Sequence, residues 1–213
     1  MDIQVWSDVT CPWCYIGKAR LERTLQLVDG AVTVTYRAFQ LNAVPVPEPI
    51  LVKQVMSETL GGPERAEEMF TRVTAMAASE GLRLDFDRAV AANTFAAHRL
   101  IAWAATQDRQ ADMLDALQRA HFSEGIDIGS LSAIARVAGS IGLDSAAALA
   151  HLESEAATIA VNTDIEEARA LGISSVPTFV IDGKYALPGA HDTETLLSAL
   201  EEIARRESAN AGL

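Results

Sequence analysis

Two cysteines lie three residues apart, in Cys11-Pro12-Trp13-Cys14, and the 213-residue sequence has no other cysteine. This pair limits the possible folds of the chain more than any other part of the sequence. Just upstream, a short strand is predicted by the alternation of apolar and polar β-formers in Ile3-Gln4-Val5-Trp6. Just downstream, apolar residues recur at helical spacing from Ile16 to Val28, which predicts a helix. The cysteine pair therefore lies where a strand passes into a helix.

This placement predicts different roles for the two sulfurs. Pro12 suits the first helical position, because its missing N–H would be unsatisfied there anyway, so Cys11 falls at or near the N-cap. Unpaired backbone N–H groups and the positive end of the helix dipole favour the thiolate at Cys11, and the thiolate is the form that attacks a disulfide. We predict Cys11 as the nucleophile and Cys14, about one turn into the helix and less exposed, as the resolving thiol.

Two other interpretations of the pair are weaker. Free cysteines are often inert core residues, but the spacing and the strand–proline–helix context favour redox chemistry. A zinc site needs four ligands, and one Cys-x-x-Cys supplies two. The histidines are scattered without a short ligand spacing, at His98, His121, His151 and His191. We therefore predict no metal site, and a metal shared across a dimer is disfavoured.

Composition disfavours several classes of partner. Lys and Arg total 17 against 29 Asp and Glu, a formal net charge of −12, which disfavours nucleic acid and anionic membranes because both are polyanions. No apolar run is long enough to cross a bilayer, and no signal-peptide pattern precedes the first strand, so we expect a cytoplasmic protein. Thiols are kept reduced there, so a Cys-x-x-Cys is expected to be catalytic.

The first half of the chain predicts a sheet interrupted by helices. A second strand is predicted over residues 31–39, and the order strand–helix–strand suggests a parallel pair with a right-handed crossover. Residues 40–49 carry three prolines and predict a connection without regular structure. Residues 50–157 are rich in alanine and follow a helical pattern, which predicts an insertion made of helices.

The second half predicts a return to the sheet. A helix over residues 158–171 is followed by a strand that contains Val176 and Ile181, and Asp182-Gly183 is a strong hairpin signal. A returning strand and a final helix follow, with a frayed tail expected over Ser208–Leu213. The two ends are thus expected to form one mixed sheet, with the insertion packed over it.

At this point the sequence resembles the thioredoxin superfamily, and within it the DsbA family. The order of features carries the resemblance: Cys-Pro-Trp-Cys after the first strand, a helical insertion, and Ser175-Val176-Pro177-Thr178 opening the late hairpin. The resemblance is closest to the FrnE-like cytoplasmic branch, through the segments Ser7–Lys18, Ala97–Leu100, Phe122–Ile128 and Val176–Val180.

The resemblance implies an α/β protein with a thioredoxin-like fold, a mixed central sheet flanked by helices, with a large all-helical insertion. We predict a discontinuous thioredoxin-like domain formed by residues 1–45 and 158–213. Residues 46–157 form the insertion, and the whole is one DsbA-like domain spanning about residues 3–205. The helices of the insertion are expected to cover the active-site edge of the sheet.

The resemblance also implies further site residues. It makes Pro177 the cis-proline that faces the active site, and a cis bond is physically permitted before proline. The backbone of Val176 would then be free to pair with an extended substrate by strand addition. Pro12 and Trp13, between the two cysteines, are expected to tune the pair or contact the substrate.

This chain departs from the family pattern in three places. The periplasmic DsbA proteins have histidine where Trp13 stands, so the pair is expected to be less oxidising. Some FrnE-like proteins carry a further cysteine pair, which is absent here, so re-oxidation must come from outside. His191 stands where the pattern leads us to expect glutamine; a solvated loop histidine is the favoured interpretation, and a site residue is the alternative.

Asp8 lies three residues before Cys11 and has two readings of equal weight. Its charge can raise the pKa of Cys11 by repulsion or relay a proton to Cys14; alternatively, it is a turn residue that caps the helix start. His98 and His121 lie in predicted helices and are expected to be packing or surface residues.

The favoured function is a thiol–disulfide oxidoreductase that acts on protein or small-molecule disulfides with an external thiol reductant or oxidant. The alternative is a glutathione-dependent isomerase, related to 2-hydroxychromene-2-carboxylate isomerase or acting in polyketide metabolism. Those isomerases typically have serine at the first cysteine position, so two sulfurs favour redox chemistry. A third reading is a chaperone-like module that binds through the apolar surface around Trp13 and Pro177. We expect no bound cofactor, with glutathione open as a co-substrate and a homodimer open as the assembly.

Overall fold

In the computed structural model, which describes residues 1–46 and 48–211, four strands form one mixed sheet. The strands are β1 (Asp2–Ser7), β2 (Thr33–Ala38), β3 (Thr178–Ile181) and β4 (Tyr185–Pro188), in the order β2-β1-β3-β4. β1 pairs in parallel with β2 and antiparallel with β3, and β3 and β4 form an antiparallel hairpin. The predicted mixed sheet, built from both ends of the chain, is confirmed.

The parallel pair places the cysteines at the end of the central strand. β1 and β2 are joined by helix α1 (Pro12–Leu25), the strand–helix–strand order that the sequence predicts. Trp6, near the end of β1, pairs with Arg37 on one side and Thr178 on the other. Because β1 has neighbours on both sides, the segment that follows it leaves the middle of the sheet.

Helices fill the chain between β2 and β3. They are α2 (Val52–Thr59), α3 (Pro63–Ser79), α4 (Phe95–Ala105), α5 (Gln110–Arg119), α6 (Leu131–Ser140), α7 (Ser145–Glu153) and α8 (Thr158–Ala170). A π-helical turn, Ala120–Glu124, continues α5; the sequence pattern predicts only an α-helix there. The connection predicted for residues 40–49 has no helix or strand in its described part, and Pro47 lies outside the described residues.

The final helix, α9 (Thr193–Ala211), is longer than predicted. The frayed tail expected from Ser208 is therefore wrong as far as Ala211, and Gly212 and Leu213 lie outside the described residues. The physical reason is that no glycine or proline follows the start of α9 before Gly212, so the helix continues through Ser208, although serine is a weaker helix former than alanine. Among the described residues, no helix combines the length and apolar character needed to cross a bilayer.

One apolar cluster joins the sheet to the insertion. It buries Ile3 and Val5 of β1 together with Leu100 of α4 and Leu117 of α5. Full burial of each such side chain contributes about 1.5–3 kcal/mol. Because the cluster runs across the predicted boundary between the two parts, the insertion and the thioredoxin-like part fold around a shared core; their exact boundaries stay a prediction.

A second apolar cluster lies on the other side of α1. Tyr15 and Ile16 of α1 pack against Phe70 and Val73 of α3, with Phe122 from the π-helical turn. The insertion thus contacts the helix that begins at the cysteines; that it covers the active-site edge of the sheet stays a prediction.

Candidate active site

The two cysteines lie at the start of α1. Cys11 is the N-cap residue with extended backbone (φ −87°, ψ 112°), and Pro12 opens the helix, as the pattern predicts. The Cys11 carbonyl accepts hydrogen bonds from the N–H groups of Cys14 and Tyr15, at 3.0 and 3.3 Å. Both residues are free thiols and both are buried, Cys11 4 % and Cys14 2 % exposed. Exposure therefore hardly distinguishes them.

The pKa of Cys11 is lowered. The largest cause is a hydrogen bond from the thiol of Cys14, and the backbone N–H groups of Cys14 and Trp13 act in the same direction. Burial and the negative charge of Asp8 oppose the shift. The Cys14 thiol therefore stabilises a thiolate at Cys11, and the N–H groups at the helix start add the effect expected at an N-terminus.

The pKa of Cys14 moves the other way and is raised well above its usual value. Burial is the largest cause, followed by the hydrogen bond and the charge of the Cys11 sulfur. Hydrogen bonding by the backbone N–H of Asp8 and the hydroxyl of Ser7 acts to lower the pKa of Cys14, but less strongly. One sulfur thus favours the thiolate and its neighbour the thiol.

The loop before β3 faces the first cysteine. The Val176–Pro177 peptide bond is cis, and the Cys11 thiol donates to the Val176 carbonyl oxygen at a sulfur–oxygen distance of 3.7 Å. The Pro177 carbonyl accepts from the Gly189 N–H at 2.7 Å, which ties the loop to the end of the hairpin. The Pro177 ring lies so close to Gly17 of α1 that a Cβ on Gly17 would sit 2.9 Å from its Cγ.

Asp8 is 1 % exposed. Its Oδ2 accepts from the Leu41 N–H at 2.8 Å, and its Oδ1 lies 3.4 Å from Nε2 of His98. No side chain caps the start of α1; only the Asp8 backbone carbonyl accepts from the Cys11 N–H, at 3.2 Å. The capping reading of the Asp8 side chain is therefore wrong, because the carboxylate points toward Leu41 and His98.

Sequence reasoning missed His98. Its ring is buried, and its Nε2 lies 3.0 Å from the Phe39 carbonyl oxygen as well as near Asp8. His98 is buried, as the packing interpretation predicts, and its ring also contacts a carboxylate beside the cysteines. The available signal was its position in Ala97–Leu100, one of the segments that carry the family resemblance.

The other two histidines considered at the site differ from His98. His121 is fully buried and packs edge-on against Phe122, with a centroid distance of 4.5 Å, so the packing reading holds. Burial lowers its pKa to about 4, although the charge of Asp8 acts the other way, and the ring is neutral at pH 7. His191 lies in the loop after β4, where its Nε2 is 2.9 Å from the Pro188 carbonyl.

Trp13 connects the cysteines to the insertion. It is partly buried and packs against the cluster that contains Cys11, Cys14 and Val176, and also against the cluster between α1 and α3. Its side chain thus lies between the sulfurs and the insertion. Within the described part of the chain, no group of three or more His, Cys, Asp or Glu side chains is arranged to hold a metal ion.

Solved structures with this architecture are known. A probable DsbA oxidoreductase of Streptomyces coelicolor is 32% identical, with a TM-score of 0.88 over 95% of this chain and 89% of that one. A 2-hydroxychromene-2-carboxylate isomerase is 20% identical, with a TM-score of 0.71 and 98% of both chains covered. The cytosolic disulfide reductase DsbM of Pseudomonas aeruginosa is 19% identical, with a TM-score of 0.68 over 96% of this chain and 99% of that one. The last two likenesses concern the fold alone.

A thioredoxin fold with a dithiol at the start of its first helix defines the class of thiol-dependent oxidoreductases and their relatives. Compared with models of known protein families, residues 2–201 match the DSBA-like thioredoxin domain. The chain belongs to that family, as its motifs predict.

Proposed function

We propose that this protein is a thiol–disulfide oxidoreductase in which Cys11 attacks and Cys14 resolves. The observation that carries the proposal is the placement of the two thiols: Cys11 is the N-cap of α1 and faces the Val176 carbonyl, and Cys14 is buried inside the helix. The pKa directions agree with this placement, lowered at Cys11 and raised at Cys14. A dithiol with one stabilised thiolate and one protonated neighbour is suited to two successive exchange steps, because only the thiolate attacks a disulfide.

The proposed reaction uses the substrate disulfide as oxidant. The Cys11 thiolate attacks one substrate sulfur, which gives a mixed disulfide and releases the other sulfur as a thiolate. Cys14 then loses its proton and attacks the Cys11 sulfur, which releases the second substrate thiolate and leaves a Cys11–Cys14 disulfide. The reverse sequence, started by an external thiol, reduces that disulfide and oxidises the thiol.

The surroundings of Cys11 favour an extended or small substrate. The Cys11 thiol is hydrogen-bonded to the Val176 carbonyl oxygen, and Cys11 is only 4 % exposed. A rigid protein surface therefore has little access to the Cys11 sulfur. An extended chain that pairs with the backbone of Val176 meets this requirement, and so does a small thiol. We accordingly propose glutathione as a co-substrate, and a position in the FrnE-like cytoplasmic branch on the strength of the four matching sequence segments.

Insulin reduction tests the redox proposal. The wild-type protein with a thiol reductant is expected to accelerate reduction of the insulin disulfides, and Cys11→Ser is expected to lose that activity. Cys14→Ser is the matched control for the second step, because it keeps the nucleophile and is expected to accumulate a mixed disulfide visible on non-reducing gels. Equal insulin reduction by wild type and Cys11→Ser would contradict the proposal.

The second candidate is the glutathione-dependent isomerase. The fold is shared with a 2-hydroxychromene-2-carboxylate isomerase, whereas the site here carries two sulfurs, which favours redox chemistry. Chromene isomerisation with added glutathione separates the two: turnover that persists in Cys11→Ser would favour the isomerase. The chaperone-like module would be favoured if wild type shows neither disulfide reduction nor isomerisation and Cys11→Ser/Cys14→Ser still suppresses aggregation.

A further inference from the structure

We propose that His98 accepts the proton of Cys14 when Cys14 resolves the mixed disulfide, through the Ser7 hydroxyl and a small internal cavity. The inference rests on the proposed function, because it concerns the second of its two exchange steps. No contact of His98 with the reacting sulfurs is involved, so His98 is a positioning and proton-accepting residue that acts through Ser7.

The path starts at the sulfur of Cys14. Ser7 is near enough for its hydroxyl to act on the pKa of Cys14 as a hydrogen-bonding group, and Ser7 is itself only 4 % exposed. A thiol whose pKa is raised well above its usual value must be deprotonated before it attacks. A serine hydroxyl can pass a proton onward because it both donates and accepts hydrogen bonds.

The next part of the path is a cavity. A cavity of ≈ 30 Å³ is lined by Ser7 of β1, His98 of α4 and Asp164 of α8, together with Tyr36 and Gln110. A volume of that size accommodates about one or two water molecules, and its lining supplies the polar partners that such water requires. The cavity thus connects Ser7 to the imidazole ring of His98.

The contacts of His98 fix which ring nitrogen is basic. Its Nε2 lies 3.0 Å from the Phe39 carbonyl oxygen and 3.4 Å from Oδ1 of Asp8. A carbonyl oxygen only accepts, so Nε2 carries the hydrogen and Nδ1 is the nitrogen that takes up a proton. The Asp8 carboxylate, 1 % exposed, then lies against the imidazolium that forms.

The charged and titratable groups around His98 are compatible with a transient positive charge. Asp8 lies beside Nε2, and Asp164 on α8 and Tyr36 and Arg37 on β2 line the same cavity. The Arg37 guanidinium is paired with Asp164 and Glu167, and burial raises the pKa of Tyr36, so that it stays neutral. On α4 itself, Arg99 donates to backbone carbonyls at the end of α7 and the segment after it.

The step balances with the substrate disulfide as oxidant. The proton of Cys14 passes to His98, the Cys14 sulfur bonds to the Cys11 sulfur, and the bond between Cys11 and the substrate breaks. The electron pair of that bond leaves on the substrate thiolate. The imidazolium then releases its proton to solvent past Asp164, whose side chain is 18% exposed.

A stoichiometric reaction with dithiobis(nitrobenzoate) tests the inference without any physiological substrate. With one equivalent of reagent, the first coloured thiolate reports attack by Cys11 and the second reports resolution by Cys14. In His98→Gln the first release is expected at the wild-type rate, whereas the second is expected to slow by about a hundredfold, within the range of general acid–base effects. The deficit should shrink as pH rises, because Cys14 then ionises without an acceptor.

Two further variants make the result decisive. His151→Gln is the matched control, because that histidine packs on Trp103, and it is expected to match wild type in both steps. Ser7→Ala removes the hydroxyl at the start of the path and is expected to slow only the second release, which provides the test if His98→Gln does not fold.

The outcomes separate this inference from the proposed function. A wild-type protein that releases two equivalents while His98→Gln and Ser7→Ala match it would overturn the inference alone. A deficit in His98→Gln of the same size at every pH would also overturn it, because a purely structural effect has no reason to depend on the charge of Cys14. A wild-type protein that releases only one equivalent would contradict the proposed function itself.

Discussion

Replacing Gly17 by alanine tests whether close packing between α1 and the Pro177 loop sets the reactivity of Cys11. A Cβ on Gly17 would lie 2.9 Å from Cγ of Pro177 and 3.5 Å from Cβ of Ala190. Carbon atoms pack best at about 3.5–4.0 Å, so the proline ring must move by about 0.6 Å. Because the Pro177 carbonyl is bonded to Gly189, we expect the loop to move as a unit, away from Cys11.

Two opposed contributions decide the stability of Gly17→Ala. Alanine is favoured over glycine inside a helix by about 1 kcal/mol, whereas overpacking a tight contact costs about 1–3 kcal/mol. The net expectation is a loss of about 0–2 kcal/mol. The relative loss of activity should exceed the relative loss of stability. Displacement of the loop lengthens the 3.7 Å contact between the Cys11 sulfur and the Val176 carbonyl, and it displaces the Val176 backbone that is expected to pair with the substrate.

Urea denaturation and insulin reduction, measured on the same preparations, check both parts. Gly139→Ala in α6 is the matched control: its Cβ would meet only the side chain of Ser145, at 2.2 Å from a hydroxyl that can rotate away. That variant is expected to gain up to about 1 kcal/mol and to keep wild-type activity. If Gly17→Ala gains as much stability as Gly139→Ala and reduces insulin at the wild-type rate, the reasoning from the close contact is wrong.

Three more perturbations follow from the hydrogen bonds and charges at the cysteines and at Glu80. Cys14→Ala should raise the pKa of Cys11, measured from the pH dependence of iodoacetamide alkylation, because the Cys14 thiol is the largest cause of its lowering. Cys14→Ser keeps a hydroxyl donor and should raise the Cys11 pKa less. The same Cys11 pKa in Cys14→Ala and Cys14→Ser would contradict the assignment. Asp8→Asn should lower the pKa of Cys11 further in the same assay, because it removes a charge that raises it; an unchanged or higher value would count against that account. Glu80→Gln should destabilise the protein to urea by about 1–3 kcal/mol, because Glu80 pairs with Arg20 at 2.6 Å and with a second arginine on α1. Burial opposes the shift, but these hydrogen bonds lower the Glu80 pKa from 4.5, so the difference from wild type should be full above pH 4.5 and vanish as pH falls through the lowered pKa.

The secondary structure around the cysteines could be predicted from residues that are close together in the sequence. The strand before Cys11, Pro12 at the first helical position and the helix after it are each local patterns. The late hairpin was equally local, because Asp182-Gly183 marks a tight turn whatever the strands on either side pair with. These parts of the fold follow from the printed sequence.

The surroundings of the sulfurs depend on contacts that no local pattern encodes. Asp8 and His98 come from distant parts of the chain, and only the packing of α4 against the sheet brings His98 Nε2 to 3.4 Å from Asp8 Oδ1. The sequence predicts a packing or surface position for His98, and the ring is buried, but the contact with Asp8 could not be predicted without that distance. The π-helical turn at Ala120–Glu124 was missed for a similar reason, since its apolar spacing is that of an α-helix.

The position of Asp8 carries a consequence for the redox pair. The Cys14 thiol and, to a smaller extent, the N–H groups at the start of α1 stabilise the Cys11 thiolate, which exists only in the reduced protein, and so make the pair more oxidising; burial and the charge of Asp8 oppose them. A tenfold change in that balance corresponds to about 30 mV for a two-electron couple. The carboxylate is held in place by the Leu41 N–H and lies against His98. A charge kept there to stabilise an imidazolium therefore weakens the thiolate at Cys11, so proton transfer from Cys14 and the oxidising strength of the pair depend on the same buried carboxylate.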